Sequence, residues 1–116
     1  MSRDDATLLD MLKAARLVVE FREGKGKSDF LDDPKTQSAI LHQLLVLGEA
    51  GKRLSQEFRA QHKEIPWKQI VGMRDNLIHE YDDVDLDEVW KTVRSDVPRL
   101  IKRLELLAPS QEEDEP

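Results

Sequence analysis

The first apolar pattern of the chain has spacings of three and four residues. Its members are Leu8, Leu12, Ala15 and Val19. Such spacing predicts an amphipathic helix, which we expect to run from about Arg3 to Arg22 with Ser2 as its N-cap. The glycine- and charge-rich stretch from Gly24 to Asp33 interrupts the pattern, so the helix is expected to end before it.

A longer apolar strip follows, with successive spacings of 4, 3, 4, 3 and 4 residues. It consists of Ile40, Leu44, Leu47, Gly51, Leu54 and Phe58. Asp33 followed by Pro34 predicts the start of this second helix, because proline suits the first helical turn. The heptad-like strip predicts a seam for packing against neighbouring helices and indicates dimerisation. Gly48 and Gly51 are costly in mid-helix, so we expect close approach there by another helix or by a partner chain.

Two further helices are predicted in the second half of the chain. The third begins at Pro66–Trp67. Its inner face carries Ile70, Met73 and Leu77. Asp85 and Glu88 have the spacing of an N-terminal capping pair and begin the fourth helix. That helix contains Pro98, so a kink is expected there, or a fresh start near Asp96. The patterns together predict an all-α antiparallel four-helix bundle with a kinked last helix.

Composition agrees with a helical bundle and excludes several kinds of chemistry. Charged residues make up 36% of the chain, and there is no cysteine, which excludes disulfides and thiolate metal sites. The length of 116 residues corresponds to one domain. We predict this domain over residues 1–108 and a disordered acidic tail over residues 109–116. The sequence shows no apolar segment long enough to span a membrane and no signal peptide, so we expect a cytoplasmic protein.

The net charge of −6 does not by itself exclude RNA as a partner. Residues 110–116 supply −4 of that charge, and all 18 lysines and arginines lie in the rest of the chain. A nearly neutral body with local basic patches can still bind a phosphate backbone.

Two segments resemble known binding sites only superficially. GEAGKRLS, at residues 48–55, lacks the spacing and the preceding strand of a phosphate-binding loop. The acidic run from Asp82 to Asp87 can hold a hard cation in principle, but it lacks the glycine and distal glutamate of an EF-hand. Helix capping is the favoured interpretation of that run. The histidines have no partner at ligand spacing, so no metal or cofactor is expected.

The segment from Gly72 to Tyr81, GMRDNLIHEY, concentrates the candidate chemistry. His79 can move a proton to or from a ribose or leaving oxygen, and Arg74 can hold a scissile phosphate. Along a continuous helix the two side chains point about 140° apart. They converge only if the helix loosens before His79, or if two chains each bring a copy. The alternative is structural, with His79 capping a helix end and Arg74 in a surface ion pair with Asp75 and Glu80.

Three segments of the chain carry a resemblance to a known family. They are FLDD at 30–33, LGEAGKRLS at 47–55 and IPWKQIVGMRDNLIHEYDDVDLDEVW at 65–90. The last contains the pattern R-x4-H-x-Y, formed by Arg74, His79 and Tyr81. From the first helix to about Leu107 the chain resembles the HepT-like family of HEPN-domain proteins. These are toxins paired with a minimal nucleotidyltransferase antitoxin.

The resemblance implies a HEPN-type homodimer in which Arg74 and His79 of both chains line one composite cleft. It implies metal-independent cleavage of cellular RNA, with tRNA among the candidate substrates. Asp75 and Asn76 would support the histidine or the phosphate, although the family often has asparagine at the position of Asp75. Tyr81 matches the tyrosine to which the antitoxin transfers AMP, in a type VII-like toxin–antitoxin system.

Two other functions stay open at this point. HEPN domains also act as non-catalytic nucleotide- or substrate-binding partners of nucleotidyltransferases, in which case Arg74 and Lys68 would hold a nucleotide phosphate. A purely structural helical partner would instead use the seam around Gly48 and Gly51. RNA cleavage that needs no metal but requires Arg74 and His79 would distinguish a ribonuclease toxin from both of these alternatives.

Overall fold

The computed structural model describes residues 2–80 and 82–109, and the regular secondary structure in these residues is entirely helical. The helices are α1 (Arg3–Arg22), α2 (Lys27–Leu31), α3 (Pro34–Arg53), α4 (Gln56–Gln61), α5 (Trp67–His79), α6 (Leu86–Lys91) and α7 (Val97–Leu107). A π-helical segment, Thr92–Asp96, joins α6 to α7. The prediction of an all-α helical bundle is confirmed.

The two longest helices, α1 and α3, form the centre of the bundle. They pack most extensively against each other, and each has a second neighbour, since α7 packs on α1 and α5 packs on α3. Leu8 and Met11 of α1 and Leu44 of α3 are buried in the shared core. At the bundle's edge, Arg16 pairs with Glu105 at 2.9 Å and ties α1 to α7.

The apolar strip of α3 is buried inside the chain itself. Its members Ile40, Leu44, Leu47 and Leu54 are each at most 2% exposed. The strip also spans two helices, because α3 ends at Arg53 and Phe58 lies in α4. Its interpretation as a dimerisation seam is therefore wrong, since the chain's own core already covers it. A second copy would have to bind another surface.

The stretch predicted to interrupt the first helix contains a short helix of its own, α2. Gly24 makes the turn after α1 with a φ of 74°, a conformation that favours glycine. Phe30 of α2 is fully buried, and its ring centroid lies 5.5 Å from that of Trp90. The guanidinium of Arg22 lies 4.9 Å from the Trp90 ring centroid. Burial of one aromatic side chain therefore anchors a segment that local pattern alone does not predict.

The predicted cap of the C-terminal helix is found, and a π-helical segment directly precedes α7 near Pro98, where a kink or a fresh start was expected. Asp85 caps α6 by accepting hydrogen bonds from the backbone nitrogens of Asp87 and Glu88. The helix then passes through the π-helical segment into α7 without a break. Pro98 has no N–H and crowds the carbonyl four residues before it, and the wider π turn accommodates this mismatch.

The last helix, α7, ends at Leu107. Apart from Pro109, the predicted tail of residues 109–116 lies outside the described residues, so its disorder stays a prediction. None of the described helices is both long and apolar enough to cross a lipid bilayer.

Candidate active site

Helix α5 carries four of the five predicted site residues. Pro66 occupies its N-cap position, and the indole of Trp67 donates a hydrogen bond to the backbone oxygen of His62 at 2.8 Å. Trp67, Ile70 and Leu77 are its buried residues. This apolar face fixes the rotation of α5 about its axis and hence the direction of its polar side chains.

Two glycines allow α5 to lie unusually close to α3. A Cβ atom on Gly48 would run into the Cβ of Arg74 and lie 3.2 Å from the Ile70 backbone oxygen. A Cβ on Gly51 would lie 3.2 Å from the Ile70 side chain. Close approach at these glycines was predicted for either another helix or a partner chain. In the structure, another helix of the same chain approaches them. The contact also presses the start of the Arg74 side chain against α3.

The guanidinium of Arg74 lies between two carboxylates. Its Nη2 atom is 2.6 Å from one oxygen of Glu49 and donates a hydrogen bond to the other at 3.3 Å. Its Nη1 atom donates to Asp75 at 2.7 Å. The side chain is 20% exposed, and its Nε atom is buried with no partner among the described residues. The sequence-based alternative of an ion pair with Asp75 and Glu80 is thus correct for Asp75 and wrong for Glu80, because Glu49 supplies the second carboxylate.

The charges at this site shift two of its pKa values in opposite directions. The hydrogen bond to Asp75 raises the pKa of Arg74, and the charges of Glu49 and Asp75 act in the same direction against the opposing effect of burial. The hydrogen bond from Arg74 lowers the pKa of Asp75, with further lowering from the charges of Arg74, Lys52 and His79. Both groups are therefore ionised near neutral pH, and a phosphate approaching Arg74 meets two competing anions.

His79 is the last residue of α5 and is exposed. The helix keeps its α-helical form up to His79, so the suggested loosening before this residue is wrong. In one chain, Arg74 and His79 therefore point about 140° apart around the helix axis. Asp75 lies between them, about 100° from Arg74 and about 40° from His79. The three residues form an arc on α5, which we call the Arg74–His79 arc.

Asn76 lies on a different side of α5 from Arg74. It lines a cavity of about 520 Å³ between α5 and α6, together with Met73 and Thr92. A second cavity of about 520 Å³ shares Met73 and Thr92 and continues toward α7. Of the two predicted supporting residues, Asp75 contacts Arg74, whereas Asn76 faces this groove and lies closer around the helix to His79 than to Arg74.

Tyr81, the predicted modification site, lies outside the described residues. Sequence reasoning missed Glu49 as a member of the site, although it stands next to Gly48 in the segment LGEAGKRLS. Within the described residues, no three histidine, aspartate or glutamate side chains gather closely enough to hold a metal ion. The acidic run near Asp85 instead supplies the cap of α6, as predicted.

Comparison with known proteins gives a consistent result over most of the chain. A family model described as Ribonuclease HepT-like matches residues 11–107. A "Probable ribonuclease HepT" of Thermococcus cleftensis is 43% identical over 100 residues, which cover 86% of this chain and 91% of that protein. No solved structure matches the chain.

Two further relatives are named as a "Putative RNase". One, from Caldanaerobacter subterraneus subsp. tengcongensis, is 39% identical over 94 residues, which cover 81% of this chain and 84% of the relative. The other, from Methanocaldococcus jannaschii, is 35% identical over 109 residues, which cover 92% of this chain and 100% of the relative. The similarity therefore extends through both α3 and α5, the two helices that form the site.

Proposed function

The chain belongs to the HepT-like ribonuclease family, as its motifs predicted, and we propose that it cleaves cellular RNA without a metal ion as the toxin of a toxin–antitoxin pair. His79 serves as general acid or base, and Arg74 holds the scissile phosphate. The observation that supports these roles is the Arg74–His79 arc, in which a cation, a carboxylate and an exposed imidazole follow one another around α5.

The chemistry requires a base, an acid and a phosphate clamp. One His79 removes the proton of a ribose 2′-hydroxyl, whose oxygen attacks the adjacent phosphorus. The bond from phosphorus to the 5′-oxygen breaks, and that oxygen takes a proton from a protonated histidine. The products are a 2′,3′-cyclic phosphate and a free 5′-hydroxyl. Arg74 stabilises the negative charge that grows on the phosphoryl oxygens.

A second copy of the chain would complete this set of groups. Arg74 and His79 of one chain point apart, so a homodimer that joins two α5 surfaces would bring the arginine of one copy near the histidine of the other. Two features favour the α5 surface. Ile78, beside His79, is 44% exposed, and the adjoining part of α3 carries an acid and a base, Glu49 and Lys52, near Arg74 and Asp75.

Cleavage of total RNA and of bulk tRNA by purified protein in EDTA tests the proposed activity. We expect discrete fragments that end in cyclic phosphate from the wild type, and none from Arg74→Ala or His79→Ala. Arg16→Ala and His42→Ala remove the same residue types from exposed positions of α1 and α3 and should cleave normally. No cleavage by wild type with unmodified Tyr81 would instead favour a nucleotide-binding partner of a nucleotidyltransferase.

Replacement of Ile78 by glutamate tests the composite site. The side chain is exposed in one chain, so the fold should tolerate the change, whereas a charge buried at a dimer interface is costly. We expect Ile78→Glu to be monomeric in analytical ultracentrifugation and at least tenfold less active, with an unchanged helical circular dichroism spectrum. A monomeric wild type that cleaves RNA would contradict the composite site.

Tyr81 is the proposed site of control by a minimal nucleotidyltransferase antitoxin. Its phenolic oxygen would attack the α-phosphate of ATP, with pyrophosphate leaving, so that AMP becomes attached to the toxin. Tyr81 follows His79 by two residues in the sequence, so the added bulk and phosphate charge would repel an RNA backbone. Tyr81 is the only tyrosine in the chain. Intact-mass measurement after incubation with such an enzyme and ATP should therefore show one AMP on wild type and none on Tyr81→Phe.

A further inference from the structure

The carboxylate of Glu49 touches the guanidinium on which the proposed chemistry depends, although it belongs to another helix. One oxygen is 2.6 Å from Arg74 Nη2, and the other accepts a hydrogen bond from that nitrogen at 3.3 Å. Glu49 stands 25 residues before Arg74 and outside the R-x4-H-x-Y pattern. We infer that Glu49 is a positioning residue, which holds Arg74 in the orientation that meets the scissile phosphate. The inference rests on the ribonuclease function proposed above.

Three contacts hold the Arg74 side chain before any substrate binds. Gly48 admits its first carbons to the surface of α3, Glu49 holds Nη2, and Asp75 accepts from Nη1 at 2.7 Å. Arginine has five N–H donors, of which its two terminal nitrogens carry four. Hydrogens on these nitrogens therefore remain for a phosphate oxygen while the plane of the guanidinium is already set.

Glu49 and Asp75 do not constrain the guanidinium in the same way. Asp75 is the next residue on α5 and moves with Arg74 when that helix moves. Glu49 reaches across from α3, so it ties the guanidinium to a second helix of the central core. Of the two carboxylates, therefore, only Glu49 ties the guanidinium of Arg74 to a helix other than its own.

Because the ion pair between Glu49 and Arg74 is in contact with solvent, we expect Glu49 to affect the rate of RNA cleavage more than the stability of the fold. Glu49 is 41% exposed, and ion pairs in contact with solvent contribute little to the free energy of unfolding. A long arginine side chain, in contrast, loses much rotamer freedom when it closes on a phosphate. Holding it in advance lowers that entropic cost in the transition state.

The charge of Glu49 gives the proposed role a distinctive signature. Its negative charge opposes the attraction of Arg74 for an RNA phosphate in the ground state. Removing the charge should leave RNA binding unchanged or make it tighter, while the lost orientation lowers the cleavage rate. A residue that only maintained the fold would, when replaced, weaken binding and lower the rate together.

The experiment compares Glu49→Ala and Glu49→Gln with wild type in two assays. Affinity is measured with a 2′-O-methyl RNA oligonucleotide, which lacks the attacking hydroxyl, and kcat with the cleavable RNA of the same sequence. We expect kcat to fall about tenfold or more in Glu49→Ala, with the dissociation constant unchanged or lower. Glu49→Gln keeps an oxygen that can accept from Nη2, so its kcat should lie between those of Glu49→Ala and wild type.

The control is Glu20→Ala, which removes a glutamate from an exposed position of α1 and should change neither quantity. An unchanged kcat in Glu49→Ala, or a dissociation constant that rises as kcat falls, would overturn the inference. If Glu49→Ala fails to fold, the same criteria apply to Glu49→Gln. If Arg74→Ala and His79→Ala cleave like wild type, the proposed active site itself fails. If they are inactive while Glu49→Ala keeps its kcat, only the role of Glu49 is wrong.

Discussion

The two sides of helix α5 are packed in very different ways. On one side, α5 lies so close to α3 that a Cβ on Gly48 would collide with Arg74. On the other side, two adjoining cavities of about 520 Å³ each separate α5 from α6, the π-helical segment and α7. The substantial contacts of α5 among the described helices are with α3.

Because the two sides of α5 are packed differently, residues of this one helix lie in different environments. Arg74 emerges on the tightly packed side, where α3 restricts its side chain and supplies Glu49 as a partner. Asn76 emerges on the groove side, where open space allows its side chain more freedom. A site that must hold a phosphate in a defined place needs the first kind of environment. We therefore expect function to depend more on the α3–α5 contact than on the groove.

Truncation of one apolar residue on each side should show the largest contrast in stability. Ile70 is 7% exposed and packs on Gly51, although it also borders one of the two cavities, so Ile70→Ala should lower the free energy of unfolding by about 2–5 kcal/mol. Met73 lines both cavities and already borders empty space, so Met73→Ala should cost about 1 kcal/mol or less. Urea denaturation followed by circular dichroism measures both values. Equal losses would mean that the groove side is packed as firmly as the α3 side.

Alanine at one glycine on each side of α5, Gly48 at the contact with α3 and Gly72 in the groove, should act in opposite directions. Gly48→Ala forces α3 and α5 apart, and we expect a loss of about 1–3 kcal/mol in the free energy of unfolding together with reduced RNA cleavage. Gly72→Ala adds a Cβ that meets nothing within 4 Å and gains helix propensity, so it should stabilise by up to about 1 kcal/mol. A Gly48→Ala protein as stable and active as wild type would show that the close approach is not required.

Acid should lower the stability of the protein slightly through Asp75, which pairs with Arg74 within α5. The pKa of Asp75 is lowered in the folded state, chiefly by the hydrogen bond from Arg74. Its contribution to stability is therefore fully present above the ordinary aspartate pKa of about 3.9 and is lost as the pH falls through the lower folded value. Denaturation at pH 6 and pH 3 should show a smaller pH-dependent loss for Asp75→Asn than for wild type. An identical loss in both proteins would mean that this ion pair does not couple to folding.

The helices and their caps could be predicted because they depend on interactions between residues close in sequence. Ser2 accepts a hydrogen bond from the backbone of Asp5 at 3.0 Å, and Asp33 accepts one from Thr36 at 3.3 Å. Such contacts span three residues and are visible as a local pattern. Helix α2 is only five residues long, which is too short to show an apolar periodicity. It is held in place by the burial of Phe30. Its stability depends on Trp90, far away in the chain.

The same division applies to the candidate site. The sequence by itself determined that Arg74, Asp75 and His79 share one helix, and helical geometry then spreads them over about 140°. It did not determine which groups surround Arg74, because Glu49 meets it only when α3 and α5 pack together at Gly48. Nor did the apolar strip of α3 reveal what covers it, since periodicity marks a face for burial without naming the partner. Only the tertiary structure decided that this strip serves the chain's own core and that Arg74 is held between two helices.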